Sequence, residues 1–168
     1  MEEPPFDLPR DSAPPADTKP VAGYDGLCSG WSWFSDPRAI GVRGKAVIGS
    51  AGCDGNWYVT EHHEGQRRST LLDRSDRPND HGVPSFLRRQ ADGRIMVFYT
   101  GHNVDELNVR ISIASDDVSG WLPPAEIGRQ IGLMTYCYTN PIQLIGEEGQ
   151  TIYLFFRARV APSVDWGP

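Results

Sequence analysis

A chain of 168 residues is long enough for one ordinary domain with its own core, and 39% hydrophobic residues place it with soluble globular proteins. No apolar run approaches the roughly 18 residues of a membrane span, and a net charge of −6 excludes a nucleic-acid binder working through a broad basic surface. Neither a membrane nor a nucleic acid is expected as a partner, and any anionic partner must be met by local Arg and His.

Residues 1–25 carry Pro4, Pro5, Pro9, Pro14, Pro15 and Pro20 among acidic residues and no apolar h-region. They read as a disordered or loosely attached leader, not a recognisable signal peptide, ahead of a domain over residues 26–168. Trp31-Ser-Trp-Phe-Ser-Asp-Pro37 then opens the first structural unit. Short runs rich in Val, Ile, Phe and Tyr between closely spaced turn residues predict strands over 45–49, 57–62 and 69–72. Glu61-His-His-Glu64 ends the second of these; adjacent histidines on a strand face opposite sides, so a solvated strand end outweighs a metal site. Beyond Asp80-His81-Gly-Val-Pro84, the turn Ala91-Asp-Gly-Arg94 leads into a strand over 95–100 that ends at His102-Asn103. A strand over 108–115 follows, its Ile111-Ser-Ile-Ala-Ser alternating as a sheet with one wet face does, and a weaker one over 124–129. Tyr138-Thr-Asn-Pro141 precedes the turn Gly146-Glu-Glu-Gly149 and a strand over 152–156. No window shows helical periodicity with caps. The sequence stops at Trp166-Gly-Pro168, which is expected to fall in the middle of a structural unit. Cys28, Cys53 and Cys137 are widely spaced with no CxxC, so a zinc ribbon and a dense disulfide framework are unsupported; three buried thiols are the simpler reading and one disulfide with a spare thiol the other.

These elements repeat. At one constant shift Pro84 falls on Pro141, Leu87 on Leu144, Ile95 on Ile152, Val97 on Leu154, Phe98 on Phe155 and Tyr99 on Phe156. The same shift lays His81 on Tyr138 and His102 on Arg159, and an earlier, shorter copy puts Phe34 at the His81 position. Units of this length with about four antiparallel strands are the blades of a β-propeller. The expected fold class is therefore all-β, a β-propeller of four-stranded antiparallel blades, with about two and a half blades in this chain. A β-sandwich explains the strands but not the repeat.

In a hairpin centred near Asp92, His81 and Gly82 lie beside His102 and Asn103 at the open end. The same construction about Glu148 sets Tyr138 and Asn140 opposite residues 157–159. Given a propeller, His81, His102, Tyr138 and Arg157 converge on one concave surface. Each has a plainer reading: His81 and His102 as turn residues, Tyr138 as a packed ring bonding a carbonyl, Arg157 as half of a structural ion pair. Their conjunction is what favours a site, with Asn103, Arg159 and Trp33 as candidate substrate-binding residues. Trp31, Trp33 and Phe34 read either as a sugar-stacking platform or, more commonly for such a cluster, as core.

Trp31 to Ile40, Asp80 to Pro84, Asp92 to Asn103, Tyr138 to Pro141 and Leu154 to Arg157, with Trp166 beyond, span most of residues 31–168. In these segments the sequence resembles the BNR-repeat-containing family whose characterised members include propeller-type ulvan lyases. The resemblance implies a seven-bladed propeller of which this chain is the N-terminal arc, an active site at His81, His102, Tyr138 and Arg157, and a secreted or periplasmic setting. The residue types suit the chemistry independently. β-Elimination of a polyuronate removes the C5 proton beside a carboxylate, which an Arg can neutralise bidentately. A His or Tyr takes that proton and a group across the ring protonates the departing O4, without a metal or other cofactor. Tyr138 and His81 are the favoured pair, with base and acid not distinguished. The expected function is thus a polysaccharide lyase acting on an anionic uronate-containing glycan. A sialidase-like or glycosidase-like hydrolytic propeller would need a carboxylate pair, for which Asp36 and Asp80 are the nearest candidates. A non-catalytic carbohydrate-binding propeller is the third reading.

Overall fold

The computed structural model describes residues 38–52, 54–75, 81–102, 104–128, 135–144 and 151–159. Four strands, β1 (Ala39–Val42), β2 (Lys45–Ala51), β3 (Trp57–His63) and β4 (Gln66–Asp73), follow one another as an antiparallel meander. The pattern recurs in β5 (Ser85–Arg88), β6 (Arg94–Thr100), β7 (Leu107–Ser115) and β8 (Ala125–Glu126). A third sheet pairs β9 (Thr135–Gln143) with β10 (Ile152–Arg159). The leader over residues 1–25, the opening segment Trp31 to Pro37, Cys28 and Cys53 lie outside the described residues, whereas Cys137 is buried with a free thiol.

Local chemistry sets the hairpins. Val42 pairs with Lys45 and His63 with Gln66, leaving two-residue loops at Arg43-Gly44 and Glu64-Gly65. Both residues of each loop have positive φ, 47° and 76° in the first and 48° and 76° in the second. That is the backbone whose twist matches a right-handed strand pair, and a glycine in the second position removes half its steric cost.

The core lies between the first two sheets. Val42, Val47, Trp57, Val59 and Leu72 meet Phe86, Ile95, Val97, Tyr99 and Val118. Burying each aliphatic side chain of this set stabilises the fold by about 1.5–3 kcal/mol before chain entropy is counted. Gly49 makes the approach possible: a Cβ there would stand 2.5 Å from the Pro84 carbonyl oxygen and 3.0 Å from the Phe86 ring. Polar groups cross the same joint. The Tyr99 hydroxyl donates to Asp73 Oδ2 at 2.5 Å, with Arg110 Nη2 3.5 Å from the same oxygen. Burial, together with the Asp73 carboxylate, raises the Tyr99 phenol well above its ordinary value, so it remains a donor. At the opposite end, Asp116 receives Arg88 from the second sheet and Arg43 from the first.

The third sheet docks on the second through small polar contacts. Thr139, 1% exposed, shares a 2.8 Å hydrogen bond with Ser85 and donates to the Phe98 carbonyl at 3.2 Å. Tyr136 bridges to Val104 through its backbone, and its hydroxyl donates to the Gly128 carbonyl at 2.6 Å.

Candidate functional site

The turn after β6 and the segment leading into β5 come together at one end of the second sheet. The β5–β6 register, Ser85 with Phe98 through Arg88 with Ile95, extends to bring residue 81 opposite residue 102. The two imidazoles stack, with centroids 3.7 Å apart and planes inclined by 16°. His81 is half-buried and His102 exposed. The segment holding His81 is anchored by its neighbour: the indole nitrogen of Trp57, from the first sheet, donates to the Gly82 carbonyl at 2.8 Å.

The third sheet adds the other two groups through an irregularity. Phe155 pairs with Asn140, yet Arg157 pairs with Cys137, so Tyr138 and Thr139 together face Phe156 in a β-bulge. Tyr138 carries the strain, with φ +58° in a region that costs a non-glycine residue about 1–2 kcal/mol. This corrects the expected hairpin, which set Tyr138 directly opposite residues 157–159. Because of the bulge, the buried Tyr138 ring lies 5.3 Å from the His81 ring at 42°. The Arg157 guanidinium stands 5.2 Å from the Tyr138 ring centroid, a cation–π arrangement, with Nη2 3.8 Å from Cys137 Sγ.

Tyr138 and Arg157, with Asn140, Phe155 and Phe156, line an open concavity of about 430 Å³. His81, His102, Tyr138 and Arg157 therefore form one continuous run of rings and charge. Arg159 is exposed at the far end of β10, paired with Thr135 and outside this lining. Asn103 and Trp33 lie outside the described residues, as do Asp36 and Asp80. Asn140 and Phe155 were not singled out as site residues from sequence; Phe155 falls on Phe98 in the repeat and shows no contrast there, whereas Asn140 falls on Val83, a change from apolar to polar that could have marked it. Among the described residues no group of three or more His, Cys, Asp or Glu side chains is placed to hold a metal ion, and His62 and His63 end β3 as neighbours.

No family model matches the sequence, and no curated protein does. Solved structures do. One is described as a new family of polysaccharide lyase, PL25 ulvan lyase, and another as the same lyase bound to -[GlcA(1-4)Rha3S]-. Each superposes with a TM-score of 0.54 at 20% identity over 76% of this chain. The chain covers 32% of either structure, about a third of their length. The likeness, at this identity, is one of fold alone.

Proposed function

We propose that the protein is a polysaccharide lyase-like arc of a β-propeller that acts on an anionic, uronate-containing glycan by β-elimination. The observation that carries the proposal is the run His81–His102–Tyr138–Arg157, assembled from two sheets beside an open concavity. The fold likeness to a lyase seen with a glucuronate-containing oligosaccharide supports the substrate class.

In this reading Arg157 meets the uronate carboxylate and neutralises the charge that would otherwise keep the C5 proton from leaving. Tyr138 and His81, whose rings lie 5.3 Å apart, divide the two proton transfers. One accepts the C5 proton, the C4–C5 double bond forms as the C4–O4 bond breaks, and the other gives a proton to the departing O4 oxygen. His102, stacked on His81, fixes the plane of that imidazole. Phe155 offers an apolar face for a sugar ring and Asn140 a polar edge.

The test is ultraviolet absorbance of the unsaturated uronate on mixing the protein with ulvan, glucuronan and related polyuronates. A rise that is abolished in Tyr138→Phe and His81→Ala, with glycan binding retained, supports elimination at this site. Binding without any rise refutes the lyase reading in favour of a carbohydrate-binding module, and new reducing ends without unsaturation refute it in favour of a hydrolase.

A further inference from the structure

The Tyr138 bulge is held from a distance. Arg38 precedes β1, and its backbone carbonyl accepts from Gly49 in the first sheet at 2.9 Å. Its guanidinium nevertheless reaches the third sheet. One nitrogen, Nη1, donates both to the Thr139 carbonyl and, at 2.9 Å, to Asn140 Oδ1. The Asn140 amide nitrogen in turn donates to the Tyr138 carbonyl at 3.0 Å. The carbonyls of both residues that make up the bulge, Tyr138 and Thr139, are thereby satisfied by one relay that starts 100 residues earlier in the chain. A two-residue bulge removes ladder partners from its carbonyls, and a left-handed tyrosine adds strain; each would relax toward regular pairing without replacement donors. Regular pairing would turn Tyr138 away from its present face, since a one-residue slip in a strand exchanges the two faces.

We infer that Arg38 is a positioning residue for Tyr138: through Thr139 and Asn140 it maintains the bulge that sets the Tyr138 ring against His81. This deepens the proposed function, because it names what keeps one proton-transfer group beside the other. Arg38 is not itself a catalytic residue in this account, because the donor nitrogen that reaches the site is already committed to Thr139 and Asn140.

The experiment compares Arg38→Ala, Arg38→Lys and Arg43→Ala, the last removing an exposed ion pair to Asp116 at the other end of the sheets. The readout is the proton NMR signal of the His81 ring, displaced by ring current from Tyr138 and simple to assign because the chain has four histidines. The expected result is a His81 signal that moves in Arg38→Ala, returns at least in part in Arg38→Lys, and stays in place in Arg43→Ala. Should Arg38→Ala not fold, Arg38→Gln, which keeps most of the side-chain volume, gives the same reading. An unmoved His81 signal overturns the proposal, and so does an equal movement in Arg43→Ala. Where the wild type cleaves a polyuronate, Arg38→Ala is expected to lower kcat about tenfold or more with KM changed less than about threefold. A wild type that cleaves nothing, with the His81 signal still moving in Arg38→Ala, leaves the positioning role standing and removes the lyase reading alone.

Discussion

Replacing Trp57 by Phe isolates the contact that ties the first sheet to the His81 segment. The indole is 6% exposed, packs 5.1 Å from the Tyr99 ring and donates to the Gly82 carbonyl at 2.8 Å. Phenylalanine keeps the six-membered ring and loses the donor with the rest of the indole. About two buried carbons' worth of transfer free energy is roughly 1.5 kcal/mol. Removing the Trp57 donor from the buried Gly82 carbonyl costs about 1–3 kcal/mol more. The total of about 2.5–4.5 kcal/mol corresponds to a fall in urea midpoint of about 1–2 M at a slope near 2 kcal/mol/M. Far-ultraviolet circular dichroism is the suitable probe, since the substitution itself alters indole fluorescence. Tyr58→Phe is the matched control in the next position: its hydroxyl donates to Asp54 at 2.6 Å, but that carboxylate retains the backbone and side-chain amides of Asn56, so the cost is about 1 kcal/mol. With Tyr58→Phe shifting by about 0.5 M, a Trp57→Phe shift of about 0.75 M or less, no more than the lost ring carbons account for, would show that the Gly82 hydrogen bond contributes nothing and refute the reasoning.

Three further outcomes are expected. Glu64 adopts φ +48° in the β3–β4 turn with its side chain exposed, so Glu64→Asn, which tolerates that backbone better, should raise stability by about 0.5 kcal/mol in denaturant titration. Arg88 first, and then Arg43, hold the Asp116 carboxyl below its ordinary value of 3.8, so its stabilising contribution is present above that pH and is lost as pH falls through the lowered value. The difference in Tm between the wild type and Asp116→Asn should accordingly be largest near neutral pH and shrink on acidification below 3.8. If Arg157 meets a substrate carboxylate through its planar fork, Arg157→Lys should keep the charge yet lose about tenfold or more in kcat/KM on a polyuronate, because an ammonium cannot reproduce the bidentate geometry.

Much of the architecture was legible because alternation and turn chemistry are local. The strands expected over 45–49, 57–62, 95–100 and 108–115 appear within a residue or two of β2, β3, β6 and β7. β1 escaped notice because Ala39-Ile-Gly-Val42 is four residues long with a glycine inside, and its pairing to β2 is a tertiary fact. β8 is a two-residue ladder within the weak expectation over 124–129, its length set by where Glu126 can still pair with Asn108. Within the site, the meeting of His81 with His102 followed from hairpin symmetry, since no bulge intervenes between β5 and β6. Tyr138 defeated the same construction. A tyrosine in the left-handed region carries no sequence signature, and of the donors at its bulge Asn140 is a near neighbour whereas Arg38 lies in a different sheet's approach, far away in the chain.

The stack of His81 on His102 is internal to one sheet, whereas the approach of Tyr138 to His81 spans two. The cluster is thus a gauge of how the second and third sheets are seated on each other. That seat includes Thr139 against Ser85 and Phe98, Tyr136 against Val104 and Gly128, and the Gln143 side chain accepting from the Gln90 backbone, whereas the aliphatic cluster described above lies between the first two sheets. Mild denaturant or warming should separate the rings across this joint while the hydrogen-bonded ladders persist, as local openings precede global unfolding. Chemistry shared between His81 and Tyr138 would then fail first, with the strands on either side still intact.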